Sequence, residues 1–115
     1  MKRLILFLVL LACAAPVSAG YVAYESYTIA GTAVGFTTAT IVAGSGHPQA
    51  NRAVCGLETA EIRYTVDGST TPTASVGQVL EPYSTLTFSN PQDIVNFKAI
   101  RTTSTSGVLT CHFYN

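Results

Sequence analysis

Few side chains in this sequence could do chemistry, and their spacing decides which kind. The two imidazoles, His47 and His112, are not spaced like metal ligands. His112 follows Cys111, but neighbours on a strand point to opposite faces, so a Cys-His pair there is sterically awkward. His47 sits beside Pro48 in a loop and could accept a proton, yet no Ser or Cys in a nucleophile-elbow setting accompanies it. Glu58 and Glu61 flank a turn and could approach each other as a glycosidase pair must. A small β-domain leaves little room for a substrate cleft around them. The chain carries no phosphate loop, zinc spacing or dinucleotide fingerprint. These residues predict a protein that is not an enzyme and needs no cofactor or metal.

Two other groups have a structural reading. Of the three cysteines, Cys13 lies in the N-terminal segment, leaving Cys55 and Cys111 as a candidate disulfide. Closing a loop of that length contributes on the order of 4 kcal/mol in the chain-entropy model. Two buried free thiols are the alternative. The second group is the loop Asp67, Gly68, Ser69, Thr70, Thr71, Pro72 and Thr73. Asp-Gly after an alternating strand signals a turn, because Asp tolerates and Gly favours positive φ. The threonines that follow can bond to nearby backbone. This loop is the expected exposed contact surface. It lacks the further acidic ligands that calcium wants and a cluster of exposed aromatics for sugar stacking.

The elements that must position these residues are strands. Beyond the N-terminal segment Thr, Val, Ser, Gly and Tyr dominate, and no window repeats apolar residues at helical spacing. Strands are predicted near 21–29, 33–41, 53–57, 61–66, 76–80, 84–89, 95–101 and 108–114, separated mostly by Gly, Pro, Asn or Asp. Seven or eight short strands in one small domain point to an all-β sandwich, immunoglobulin-like or jelly-roll-like. Alternation sends Ala53, Cys55 and Leu57 inward, with Leu109, Cys111 and Phe113. It also sends Ile62, Tyr64 and Val66 inward, and Val95, Phe97 and Ala99.

The first nineteen residues have the layout of a secretory signal: Lys2 and Arg3, an apolar run to Ala15, then Pro16 and the small-residue ending Val17-Ser18-Ala19. Cleavage after Ala19 would leave residues 20–115 as one exported domain. The apolar run is short for a membrane span, which needs about 20 residues. The alternative is lipid anchoring at Cys13, since Leu10-Leu11-Ala12-Cys13 resembles a lipobox. After cleavage Arg52, Arg63, Lys98 and Arg101 face six acidic residues, a net charge of −2. So few cations argue against nucleic-acid binding, which draws affinity from many phosphate contacts.

Two stretches carry resemblances. "ETAEIRYTVDGSTTPTASVGQVL" and "NPQDIVNFKAIRTTSTSGVLTCHFY" resemble a family of small tailed-phage and prophage proteins of mostly unassigned function. The likeness runs over residues 24–114, through Arg63, Asp67-Gly68, Pro72-Thr73, Gly77, Phe97, Ile100-Arg101 and Ser106-Gly107. It implies a β-sandwich used as a capsid decoration, head-tail or tail accessory protein. Its partners would be other protein subunits of a virion or envelope, or copies of itself. "IRYTVDGSTTPT" with the later "FKAIR" is also similar to the immunoglobulin-like C-terminal domain of some chitobiases and hexosaminidases. That second likeness implies an exported binding module, with cell-surface glycan as its ligand. Virion assembly in the cytoplasm does not call for an export signal, so both readings stay open.

Overall fold

Alternating apolar residues, set every second position, give this chain strands with one wet and one dry face. In the computed structural model, which describes residues 20–115 apart from Ser45, they build seven strands and two short helices. The strands are β1 (Tyr21–Ile29), β2 (Arg52–Glu58), β3 (Ile62–Thr65), β4 (Gln78–Leu80), β5 (Thr85–Phe88), β6 (Lys98–Arg101) and β7 (Gly107–Tyr114). The helices are α1 (Thr38–Ile41) and α2 (Pro91–Asn96). The expected signal segment and Cys13 lie outside the described residues.

The strands form two antiparallel sheets, β1-β7-β2-β5 and β4-β3-β6, the small all-β sandwich that the turn spacing predicts. The last strand, β7, lies between β1 and β2 and so ties both ends of the chain into one sheet. In an immunoglobulin domain the last strand belongs instead to the opposite sheet. The inward sets on β2 and β7 are as alternation places them: Ala53, Cys55, Leu57, Leu109, Cys111 and Phe113 are all buried. Ile62 and Tyr64 meet them from the other sheet. Phe36 stacks on Phe97 at 4.3 Å between ring centroids and meets Phe88 and Phe113 edge-on. These offset and T-shaped contacts suit rings with negative faces and positive edges.

Two predicted strands take other forms. Over 33–41 the chain makes a single β-bridge, Val34 to Ala99, beside the edge of β6. Phe36 then drops into the core, and Thr38–Ile41 coils into one helical turn that buries Ile41. Burying an aromatic ring outweighs extending a ladder that has only β6 to pair with. The strand expected over 95–101 begins only at Lys98, because Pro91–Asn96 is helical. Asn90 caps that helix by accepting from the Gln92 N–H at 2.8 Å, Pro91 opens it and Asp93 sits in its first turn. Ile94 therefore takes the buried place expected of Val95, which is 45% exposed.

Cys55 and Cys111 are bonded, with an S–S length of 2.01 Å. They lie opposite each other on β2 and β7, within one sheet. Their Cα atoms are 4.1 Å apart. That resembles the closely spaced antiparallel pair, about 4.5 Å, more than the roughly 5.5 Å typical of disulfides in general. The bond sits fully buried behind the outer face of the four-stranded sheet.

Candidate functional site

The loop after β3 is held almost entirely by itself. The Asp67 carboxylate accepts from the Ser69 N–H at 3.2 Å, the Thr70 N–H at 2.9 Å, the Thr70 hydroxyl at 2.6 Å and the Ser69 hydroxyl at 3.3 Å. The Thr70 hydroxyl, then its N–H, lowers the Asp67 pKa from its usual 3.8 to about 2. Thr65 donates to the Thr70 carbonyl at 2.7 Å, and Arg63 clamps the return path through the carbonyls of Ala74 and Gly77. The Thr73 hydroxyl accepts from the Ser75 and Val76 N–H groups.

Pro72 is fully buried, so it anchors the loop and is not a contact residue. Gly68, at φ 77°, is exposed but pressed against the Asn96 amide. Of the seven expected contact residues, Asp67, Ser69, Thr70, Thr71 and Thr73 are also exposed. Asp67, Thr70 and Thr73 already spend their oxygens on the loop. A calcium ion would have to displace four hydrogen bonds from Asp67, and no group of three His, Cys, Asp or Glu that could hold a metal occurs among the described residues.

His47 is similarly occupied. Its Nε2 lies 2.8 Å from the Ala39 carbonyl oxygen and its Nδ1 3.0 Å from that of Pro48. It borders a shallow hollow of about 450 Å³ lined also by Thr38, Ala39, Val42, Ala43 and Gly44. Neither Glu58 nor Glu61 reaches that lining, so the three groups that could have made an acid-base site do not converge. Glu25, on the inner side of β1, accepts from the Thr40 hydroxyl and so fastens α1 to the sheet. Burial would raise its pKa, but the Thr40 bond, with the Tyr27 and Thr37 hydroxyls nearby, outweighs burial and lowers it.

The unspent groups are on the outer face of the four-stranded sheet. Tyr24 on β1 pairs across to His112 on β7 and on to Val54 on β2. In the next row Tyr21 pairs with Tyr114 and on to Arg52. The Tyr24 ring lies 5.0 Å from His112, and Tyr21 lies 6.0 Å from both His112 and Tyr114. The Arg52 guanidinium stands over Tyr114, 4.9 Å from the ring centroid. Tyr21 and Tyr24 are 58% and 51% exposed, an unusual amount of aromatic surface to leave in water.

A β-bulge makes this arrangement. Strict alternation back from Ile29 would turn Tyr21 inward with Ala23, while Tyr24 points out. The register slips between Tyr21 and Ala23, so one extra residue faces a single step on β7. Tyr21 is thereby re-aimed to the side of Tyr24, as bulges near functional surfaces commonly do. The end of the face is fixed by hydrogen bonds between Gly20 and Asn115 and from the Asn51 N–H to the Tyr114 carbonyl. Tyr21 and Tyr24 lie more than 85 residues from His112 and Tyr114, so no local pattern in the sequence joins them into a cluster. A repeated Tyr at both termini is the only signal it offers.

A third exposed aromatic, Tyr83, is 86% exposed and holds φ at 66° in the turn before β5. Bulky residues rarely adopt that conformation. Comparison of the chain with protein-family models, with curated proteins and with solved structures finds no match.

Proposed function

We propose that this chain is a non-enzymatic, exported binding module that docks cell-surface glycan on the outer face of its four-stranded sheet. The observation that carries the reading is the exposed group of Tyr21, Tyr24, His112 and Tyr114, whose rings meet at tilted and edge-on angles, beside Arg52. Tyrosine rings offer an apolar plane to the C–H face of a sugar and a hydroxyl at the rim for its polar edge. A buried disulfide supports export, since such bonds persist in oxidising compartments. The secretory layout of residues 1–19 agrees with this.

Insoluble-polysaccharide pull-down and a glycan array test the proposal, with the chain expressed with residues 1–19 in place. Binding that Tyr24→Ala weakens about tenfold is the expected result. A clean negative across neutral and charged polysaccharides would overturn it.

A second reading rests on the resemblance over residues 24–114 to phage and prophage proteins. Here the same face would meet another protein subunit or a copy of this chain, as Tyr and Arg are enriched in protein interfaces. Genes for capsid, portal or tail proteins beside the coding sequence, and the chain in purified particles, are the outcomes that favour it. A neighbourhood of polysaccharide-utilisation genes would sink it.

A further inference from the structure

The charges around the aromatic face narrow the ligand. Of the four cationic side chains beyond residue 19, Arg63 donates to the carbonyls of Ala74 and Gly77. Arg101 reaches the Ser106 hydroxyl, and Lys98 is exposed on the other sheet. Arg52 differs: its guanidinium carbon stands over the Tyr114 ring, 4.9 Å from the centroid, and among the described residues no protein acceptor takes its N–H groups. A guanidinium placed over a ring in this way keeps its planar fork of donors free and loses less freedom on binding an anion than a mobile Lys would.

Among the described residues, no Asp or Glu side chain stands in the outer strand rows around Arg52. The rows around Arg52 hold Tyr21, Tyr114, Tyr24, His112, Val54 and Thr87. Glu25 lies on the inner side, bonded to Thr40. Glu58 is at the far end of β2, six residues from Arg52, or on the order of 20 Å along a strand. The outer rows between them hold Ser26, Thr110, Gly56 and Thr85, all uncharged. A domain of net charge −2 therefore presents a cationic, aromatic end.

Resting on the glycan-binding reading above, we infer that this face selects an anionic glycan. The sugar ring lies on Tyr21 and Tyr24, and its carboxylate or phosphate takes the free N–H groups of Arg52. Tyr114 positions Arg52 through the contact of its ring with the guanidinium, and the bulge before Ala23 places Tyr21 on the same face. Neutral sugars can use the rings alone and gain nothing from the arginine.

Binding of the full chain to matched polymers tests this. The pairs are polygalacturonate against its fully methyl-esterified form, and a phosphorylated mannan against plain mannan, with polyglutamate as an anion that carries no sugar. Preference for the charged member of either pair by tenfold or more, falling with added salt, is the expected result; which pair shows it tells carboxylate from phosphate. Arg52→Gln should remove that preference, so that charged and neutral members bind alike, while Arg52→Lys restores only part of it. Tyr24→Ala should weaken charged and neutral polymers alike.

Equal binding of charged and neutral members overturns the inference and leaves the glycan-binding reading standing. Equal binding of polyglutamate and polygalacturonate also overturns it, because charge alone would then suffice. Absence of binding to every polysaccharide, in protein whose disulfide and melting temperature are intact, overturns both.

Discussion

The loop from Asp67 to Thr73 and the outer face around Tyr24 are both exposed and rich in hydrogen-bonding groups, yet they spend those groups differently. In the loop the Asp67 carboxylate and the Thr70 and Thr73 hydroxyls close on neighbouring residues, and Pro72 pins the segment to the core. On the sheet, strand register and contacts with Tyr114 and His112 place Arg52, Tyr21 and Tyr24, and both tyrosines stay more than half exposed. A polar surface segment is therefore a poor guide to binding when its own backbone consumes the polarity. Preorganised side chains on a rigid sheet cost less to immobilise when a ligand arrives. That contrast predicts a clean division: loop changes act on stability, and face changes act on binding.

The largest effect tests the frame behind the face. Cys55→Ala or Cys111→Ala should destabilise oxidised protein by about 2–5 kcal/mol in thermal or urea unfolding. The double variant should lose no more than either single one, because one bond is removed in all three. Two reactive thiols in the unreduced protein would contradict the bond.

Next comes Gly77→Ala, which attacks the loop alone. Gly77 holds φ at 118°, and a Cβ there would lie 3.0 Å from the Tyr64 carbonyl oxygen. A loss of about 1–3 kcal/mol with glycan affinity unchanged is expected. A parallel loss of affinity at temperatures where the variant is folded would break the division.

Tyr24→Ala is the converse. An affinity loss of about tenfold, or ~1.4 kcal/mol, should come with a stability change near the ±0.5 kcal/mol usual for exposed sites. Unfolding curves and binding isotherms on the same preparation measure both.

Asp67→Asn tests how the loop holds itself, through pH. The folded Asp67 pKa is lowered to about 2 from its usual 3.8. Its contribution is therefore fully present above about pH 4 and is lost as pH falls toward 2. Wild type should be the more stable at pH 6, and the difference should shrink across that window. A difference that persists unchanged below pH 2 would mean that shape and not charge holds the turn.

The smallest effect is Tyr83→Gly, which relieves positive φ at an exposed position. Removing that strain outweighs the added freedom of the unfolded chain by about 0.5 kcal/mol, seen as a slightly higher melting temperature. A fall in melting temperature would show that the ring packs where its exposure says it does not.

The sandwich, the buried faces of β2 and β7, and the cysteine pair are legible in the sequence. Each follows from alternation, a local rule that one strand carries by itself. The helix over Pro91–Asn96 is legible too, in Asn90-Pro91 and Asp93, but a strand-rich composition obscures so short an element. The segment over 33–41 reads as a strand because nothing local says that Phe36 has a core to enter. The loop reads as a contact surface because groups whose hydrogen bonds the Asp67 carboxylate accepts within its own turn look, in sequence, like polar groups waiting for a partner.

Sequence by itself determined which side chains are apolar at every second position, where the turns fall, and that two cysteines face inward. Those are properties of single strands and tight turns, fixed by local geometry. Only the tertiary structure decided that β7 runs between β1 and β2, which brings residues from the two ends of the chain side by side. It also decided, through one extra residue between Tyr21 and Ala23, which face Tyr21 joins. Register between distant strands is set by the packing of the whole core, and no local pattern contains it.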